Sequence, residues 1–258
     1  MISPIEELDF NNISAVIFTI LLLAIIIFLR YLVFSSAYYF FFFNLFKKTF
    51  QNRFLSKKST KSKQLKKEIY WSALSGFIFG VFILFCYFLY ANESTLIYDD
   101  ASKFSLWYIP GSIFLFLFLQ DTYYYWAHRW MHNPKVYKYV HLVHHKSIHT
   151  SVWTSFSFHP IETILQALFL PFIICVLPMH FYAIITVLSI MTISATINHA
   201  GVEVYPSGKF GKWFQSIFIG ATHHDAHHTK FNYNYGLYFT FWDRIMKTEF
   251  SLKPKKAE

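Results

Sequence analysis

The sequence predicts an all-α integral membrane bundle of about four to five spans, with a histidine-rich helical cap on one side. Three observations predict it. The 258-residue chain is 55% hydrophobic and 22% aromatic, too apolar for an ordinary soluble domain. Its apolar residues gather in long runs, and the longest exceed the roughly 20 residues that cross about 30 Å of hydrocarbon. Eight histidines then fall in three tight boxes: His128-x-x-x-His132, His141-x-x-His144-His145 and His224-x-x-His227-His228.

The first run covers Ile13 to Leu29 and continues past Arg30 to about Phe46. Lys47 to Lys67 follows as a loop with eight lysines, Arg53 and no acid. The second span is Ile69 to Tyr90, where Gly76 and Gly80 form a small-xxx-small pair suited to close helix packing. A loop from Ala91 to Ser105 carries Glu93, Asp99 and Asp100 against Lys103. The third span runs from about Trp107 to Tyr125. Ile161 to Leu177 and Phe181 to Ile197 flank Pro178 and read as a helical hairpin. Without repeats or low-complexity tracts, the chain reads as one membrane domain, 1–258. Residues 13–105 form N-terminal spans and loops, and residues 106–250 form the histidine-box region.

Charge orients the bundle. The lysine-rich loop is expected in the cytoplasm by the positive-inside rule, and counting spans from there brings all three boxes to the same side. The net charge of +9 is then explained by basic loops facing anionic lipid, not by nucleic acid. Cys86 and Cys175 lie far apart in apolar runs, so no disulfide framework is implied. The stretch Met1 to Phe10, with Glu6, Glu7 and Asp9, lacks the basic start of a cleavable signal. Lys255 and Lys256 read equally as a dilysine retrieval signal and as a basic tail beside a membrane. Endoplasmic reticulum and bacterial inner membrane both stay open.

Residues three or four apart share one face of a helix, so each box is expected to aim two or three imidazoles at a common point. Neutral imidazole is the commonest protein metal ligand, and eight exceed what one tetrahedral zinc needs. They suit two metal ions with open positions. A structural zinc cluster, a zinc-binding membrane scaffold and a transporter are the competing readings; a transporter would place its ligands nearer the bilayer midplane. His199, after the last span, is expected as a ninth ligand. Asp121, on one helix face with Tyr125, His128 and His132, is a candidate acceptor for a ligating imidazole or a tyrosine. His159, before Pro160, reads equally as a ligand and as a hydrogen-bonder. His223 points about 100° from His224 on a helix and is a weaker candidate. Glu162 and Asp225 complete the residues considered as ligands or as partners of ligands. His149 suits a surface role and His180 a structural one. Tyr123, Tyr124, Trp126, Trp153, Phe156 and Phe158 read as a lipid channel or as ordinary packing and interfacial belt.

The boxes, together with His159-Pro160-Ile-Glu162, Asn198-His199-Ala-Gly201, the run His223 to Gly236 and Trp242-Asp-Arg244, resemble the fatty acid hydroxylase/sterol desaturase superfamily. The likeness covers about Phe114 to Phe250 and is greatest for the sterol C-5 desaturase and C-4 methyl oxidase branches. It implies O2-dependent hydroxylation or desaturation of an unactivated C–H bond of a sterol or other lipid, at a non-haem diiron centre. Cleavage of an alkylglycerol ether, or oxidation of a fatty acyl or carotenoid chain, is the alternative within the family. Two iron ions are implied, with zinc able to substitute. The implied ligands are His128, His132, His141, His144, His145, His199, His224, His227 and His228. In fatty-acid 2-hydroxylases a further histidine stands four residues before the His199 position. Here that place is Ala195, so the tenth ligand is absent, a water, or supplied by His159 or His223. No fused cytochrome b5 domain is read in the sequence, so a separate carrier, cytochrome b5-like or ferredoxin-like, is expected to deliver electrons.

Overall fold

The computed structural model describes residues 9–56 and 60–250. Glu6, Glu7, Lys57, Lys58 and the Lys255–Lys256 pair lie outside the described residues. Helix α1 (Ile13–Tyr39) starts where the Asn12 side chain accepts the amide of Ala15, and it runs on as a π-helical stretch, Phe40–Leu45. A short helix, α2 (Lys47–Phe50), and a 3-10 turn, Gln51–Arg53, follow. Helix α3 (Ser62–Ala91) begins about two turns earlier than the predicted span. Lysine, glutamine and leucine are good helix formers, so Ser62 to Lys67 joins the helix instead of the loop. Helix α4 (Tyr108–Met131) leads into α5 (Pro134–Val140) and α6 (Leu142–His145). Asn133 caps α5, with Pro134 at its first position.

The predicted hairpin around Pro178 forms, but its first arm is broken. A 3-10 turn, Val152–Phe156, precedes α7 (Pro160–Ala167), which gives way to α8 (Phe169–Val176) around Leu168. Pro171 has no N–H to offer the carbonyl four residues earlier, which places the break there. Helix α9 (Phe181–His199) is the second arm. Three short helices follow among the described residues: α10 (Gly208–Gln215), α11 (Ala221–Lys230) and α12 (Phe241–Ile245). Among the described residues the strands are two-residue pieces, β1 (Ile97–Tyr98) and β2 (Met179–His180), paired in parallel.

Among the described residues three helices are long and apolar enough to cross a membrane: Ile13–Leu45, Ser62–Ala91 and Phe181–His199. The 17 residues of Pro160–Val176 form a shorter apolar stretch. Helix α4 has the length, but Gln120, Asp121 and its tyrosines lower its hydropathy below that of the other three. Ile17, Leu21, Ile25 and Leu29 of α1 are exposed, as lateral surface facing lipid requires. Helices α1 and α3 pack at Gly80, where an added Cβ would lie 3.0 Å from the Ala24 nitrogen. Phe116, Phe169, Ile173, Met179 and Val187 form the largest core cluster, between α4, α8 and α9.

The bundle has two distinct ends. β1, β2 and the first residues of α4 and α9 share one end, where the Tyr108 hydroxyl donates to the Pro178 carbonyl at 3.0 Å. The other ends of α4 and α9 lie many turns away, about 27 Å along α9 at 1.5 Å per residue, and that is where the boxes gather. The lysine-bearing start of α3 is at this second end, because Glu68 binds Ser147, Ser151 and Thr154 just after the second box.

Candidate metal centre

Nine histidines meet at this end in two groups, and within each the nitrogens lie within 4.8 Å of one another. The first group is His128, His132, His141, His145 and His227; the second is His144, His199, His224 and His228. One box behaves as the spacing predicts, with His128 and His132 at i,i+4 facing one point. The other two do not each serve a common point: they divide. His141 and His145 join the first group while His144 joins the second; His224 and His228 join the second while His227 joins the first. Adjacent helical residues point about 100° apart, so a His-His pair at a box end bridges two centres.

Seven Nε2–Nε2 separations define the cluster. In the first group His141 lies 2.9 Å from His128 and 3.1 Å from His145, and His227 lies 3.0 Å from His145 and 3.2 Å from His132. In the second, His199 lies 3.2 Å from His144 and 2.8 Å from His224, and His228 lies 3.1 Å from His224. With metal–nitrogen bonds of about 2.1 Å, neighbouring positions of an octahedral shell are about 3.0 Å apart and those of a tetrahedron about 3.4 Å. The spacing fits the octahedral-like case.

The outer nitrogens give a second test of fit. His144 Nδ1 faces the Ser157 carbonyl at 3.3 Å and His199 Nδ1 faces the Ala195 carbonyl at 2.7 Å. A carbonyl only accepts, so both protons sit on Nδ1 and both Nε2 atoms present lone pairs to each other at 3.2 Å. His128 Nδ1 and His227 Nδ1 likewise donate to the carbonyls of Tyr235 and Tyr233, at 2.8 and 2.7 Å. Facing lone pairs repel unless a cation lies between them. A proton is disfavoured as that cation. Burial, then the neighbouring imidazoles, hold His132, His141, His145, His224 and His228 far below the usual histidine range, and His227 is pushed down to about 4. The arrangement fits metal ions held by neutral imidazoles.

The remaining candidates divide. Glu162 is fully buried with Oε1 2.9 Å from His141 Nδ1, which places a carboxyl group directly behind that ring. Asp121 is buried but touches no imidazole; its Oδ1 accepts the amides of Leu237, Tyr238 and Phe239 at 2.9, 2.7 and 3.2 Å. The expectation that it binds an imidazole or tyrosine is therefore corrected: it anchors the loop after α11 to α4. His159 is outside both groups, its Nδ1 accepting the Ile161 amide at 3.4 Å as the cap of α7. His223 is outside too, 3.6 Å from Glu249. Neither reaches the groups to serve as a tenth ligand. Asp225 is half-buried, outside both groups, and burial raises its carboxyl above the usual range. His149 is exposed, and His180 caps α9 at the far end, accepting the Tyr182 amide at 3.1 Å.

Sequence reasoning missed the scaffold of the last loop. Asp243 is 1% exposed and accepts the amides of Tyr235 and Gly236, both at 2.9 Å, and the Thr248 hydroxyl at 2.7 Å. Gly236 has no room for a side chain: an added Cβ would lie 2.6 Å from the Phe239 carbonyl oxygen. Asp121 and Asp243 thereby fix the Tyr235 carbonyl that holds His128. The Trp242-Asp-Arg244 motif was the available signal, but its pattern does not reveal which amides an aspartate binds.

Residues 113–248 match the fatty acid hydroxylase family model. Lathosterol oxidase from Homo sapiens is 32% identical over 187 residues, covering 70% of this chain and 60% of that protein. The Rattus norvegicus lathosterol oxidase is 35% identical over 154 residues, 58% of this chain and 49% of its own length. A Delta(7)-sterol 5(6)-desaturase from Gibberella zeae is 28% identical over 180 residues, 70% of this chain and 54% of the relative. The chain thus spans about half to three fifths of the length of these relatives. No solved structure matches it. The family match covers more than half of the chain, including all three boxes, and the chain belongs to the fatty acid hydroxylase family.

Proposed function

We propose that this chain is a membrane-bound, O2-dependent oxidoreductase that hydroxylates or desaturates a sterol or related lipid at two iron ions. The observation that carries the reading is the division of nine imidazoles, eight buried and His132 partly so, into a five-member and a four-member group, with lone pairs facing inward. The names of the relatives, lathosterol oxidase and sterol 5(6)-desaturase, favour a sterol substrate. Iron, when bound, supplies the redox chemistry by which O2, two electrons and two protons turn a C–H bond into an alcohol and water, or a CH–CH pair into an alkene and two waters.

The residues do the holding and the excluding. Carbonyls of Tyr235, Tyr233, Ser157 and Ala195 fix four rings in the tautomer that offers Nε2 inward, and Glu162 lies beside a fifth, His141. Burial keeps the rings neutral and keeps water from competing. Tyr124 packs on His128 with ring centroids 4.9 Å apart, and Phe158 packs on His144 at 5.0 Å, so an apolar wall touches both groups where a lipid carbon would be presented. The electrons come from a separate carrier. The lysine-bearing end, and the boxes with it, faces the cytoplasm of an endoplasmic-reticulum or bacterial inner membrane.

A five-member group with separations near 3 Å argues against a closed tetrahedral zinc site. Metal analysis of detergent-purified chain from iron-replete cells tests the reading. About two irons per chain, lost together with O2-dependent lipid oxidation on chelation, is the expected result. Tightly held zinc under those conditions, with no O2 uptake from any reductant, overturns it.

A further inference from the structure

Where α3 begins, Lys61, Lys63, Lys67 and Lys146 line a cavity of about 280 Å³ whose apolar wall is Trp71 and Val143. Among the described residues none of these lysines makes an ion pair. The acid on the wall, Glu68, is 1% exposed and already engaged: Oε1 accepts from Ser147 at 2.7 Å and Thr154 at 2.8 Å, and Oε2 from Ser151 at 2.8 Å. The first turn of this 30-residue helix holds no acid, and Lys61 provides no side-chain cap. Four lysines and the positive end of a helix dipole therefore line one cavity against a single carboxylate, Glu68, whose oxygens are held by hydroxyls.

We propose that this cavity binds the phosphate of an anionic membrane lipid. Its position favours a lipid over a soluble phosphate. Lys61 to Lys67 occupy the two turns before α3 becomes apolar at Ile69, which is headgroup depth, and Trp71 belongs to the residues that settle there. The cavity also touches the candidate metal centre: Lys146 and Ser147 directly follow His145, and Ser157, on the same wall, gives its carbonyl to His144. A bound lipid phosphate clamps the second box against α3. The proposal rests on membrane placement and not on the metal chemistry, so its test needs no turnover.

The full chain in neutral detergent is titrated with phosphatidylserine, phosphatidylcholine or inorganic phosphate, and bound lipid is read by native mass spectrometry. One saturable phosphatidylserine per chain, not matched by phosphatidylcholine, is expected. Each lysine that lines the cavity, close enough to touch the bound phosphate, accounts for about a fivefold factor in affinity, so Lys63→Ala/Lys67→Ala/Lys146→Ala is expected to weaken binding at least tenfold. Lys66→Ala, on the same helix but outside the cavity, is expected to leave it unchanged. Where the triple variant does not fold, Lys67→Ala and Lys146→Ala singly decide, each with a loss of about fivefold. Equal retention of phosphatidylcholine, equal loss in Lys66→Ala, or full displacement by millimolar inorganic phosphate overturns the lipid assignment.

Discussion

The two imidazole groups share α6 and α11 yet differ in their third support and in their outer partners. The five-member group draws on α4, α5–α6 and α11; the carbonyls of Tyr235 and Tyr233 hold two of its rings, and the buried carboxyl of Glu162 lies beside a third. The four-member group draws on α6, α9 and α11, and its known outer partners are the carbonyls of Ser157 and Ala195. A six-coordinate shell is nearly filled by five imidazoles and left more open by four. On the proposed two-iron reading, four imidazoles beside Phe158 would leave more positions open for a further ligand than five. The largest test breaks the groups apart. His144→Ala and His145→Ala alter neighbours in sequence that serve different groups. Each is expected to lower iron from about two per chain to about one and turnover below about 1%, because ligands matter more than the outer partners whose loss costs about 10–100-fold. Iron counting on both variants checks this, and loss of both ions in each would mean that the groups are not separable.

Glu162→Gln sharpens the same contrast. It replaces the carboxyl group next to His141 while keeping the shape, and that group lies beside the five-member group alone. A loss of about 10–100-fold in metal affinity or activity is expected, confined to one of the two ions. Competition with a graded chelator, following iron release in two phases, reads it out: the tighter phase weakens and the other does not move. A uniform shift of both phases would contradict the assignment of the carboxylate to one group.

The loop that carries Tyr233 and Tyr235 is held at a distance by Asp121 and Asp243, and both carbonyls serve the five-member group. Asp121→Asn and Asp243→Asn each leave buried amides imperfectly paired, at a cost of about 1–3 kcal/mol in stability. Thermal unfolding in detergent measures that cost. Iron at the four-member group is expected to survive both substitutions at temperatures where the chain stays folded.

Much of this was legible in the residues themselves. Apolar runs announced α1, α3 and α9, and the boxes named the converging imidazoles, because hydrophobicity and ligand chemistry are local properties. The division of each His-x-x-His-His box between two groups was not legible, although the 100° turn between neighbours contains it. Which group a ring joins depends on where α11 lies against α6, a tertiary fact. The loop anchors were hidden for the same reason: Asp121 reads as a helix-face carboxylate near three polar residues, and nothing local says that its partners are amides 116 to 118 positions away. The apolarity of α4 was overestimated because Gln120 and Asp121 interrupt a run that is otherwise phenylalanine and leucine.

The smallest effects are expected at the two histidines left outside the groups. His159 caps α7 through a 3.4 Å contact, and His223 pairs with Glu249 at 3.6 Å on the partly exposed side of α11. Both distances lie beyond a strong hydrogen bond, and an exposed ion pair contributes roughly 0–1 kcal/mol. His159→Asn keeps an acceptor at the cap, so its stability should stay within about 0.5 kcal/mol of the parent. His223→Gln keeps a donor for Glu249 and should be similarly silent. Both variants should retain two irons, whereas a tenth ligand would lose one when replaced. Iron content is therefore the decisive measurement: a drop in either variant would mean that the ring swings into the cluster when metal binds, and the five-plus-four partition would have to be redrawn with that residue inside it.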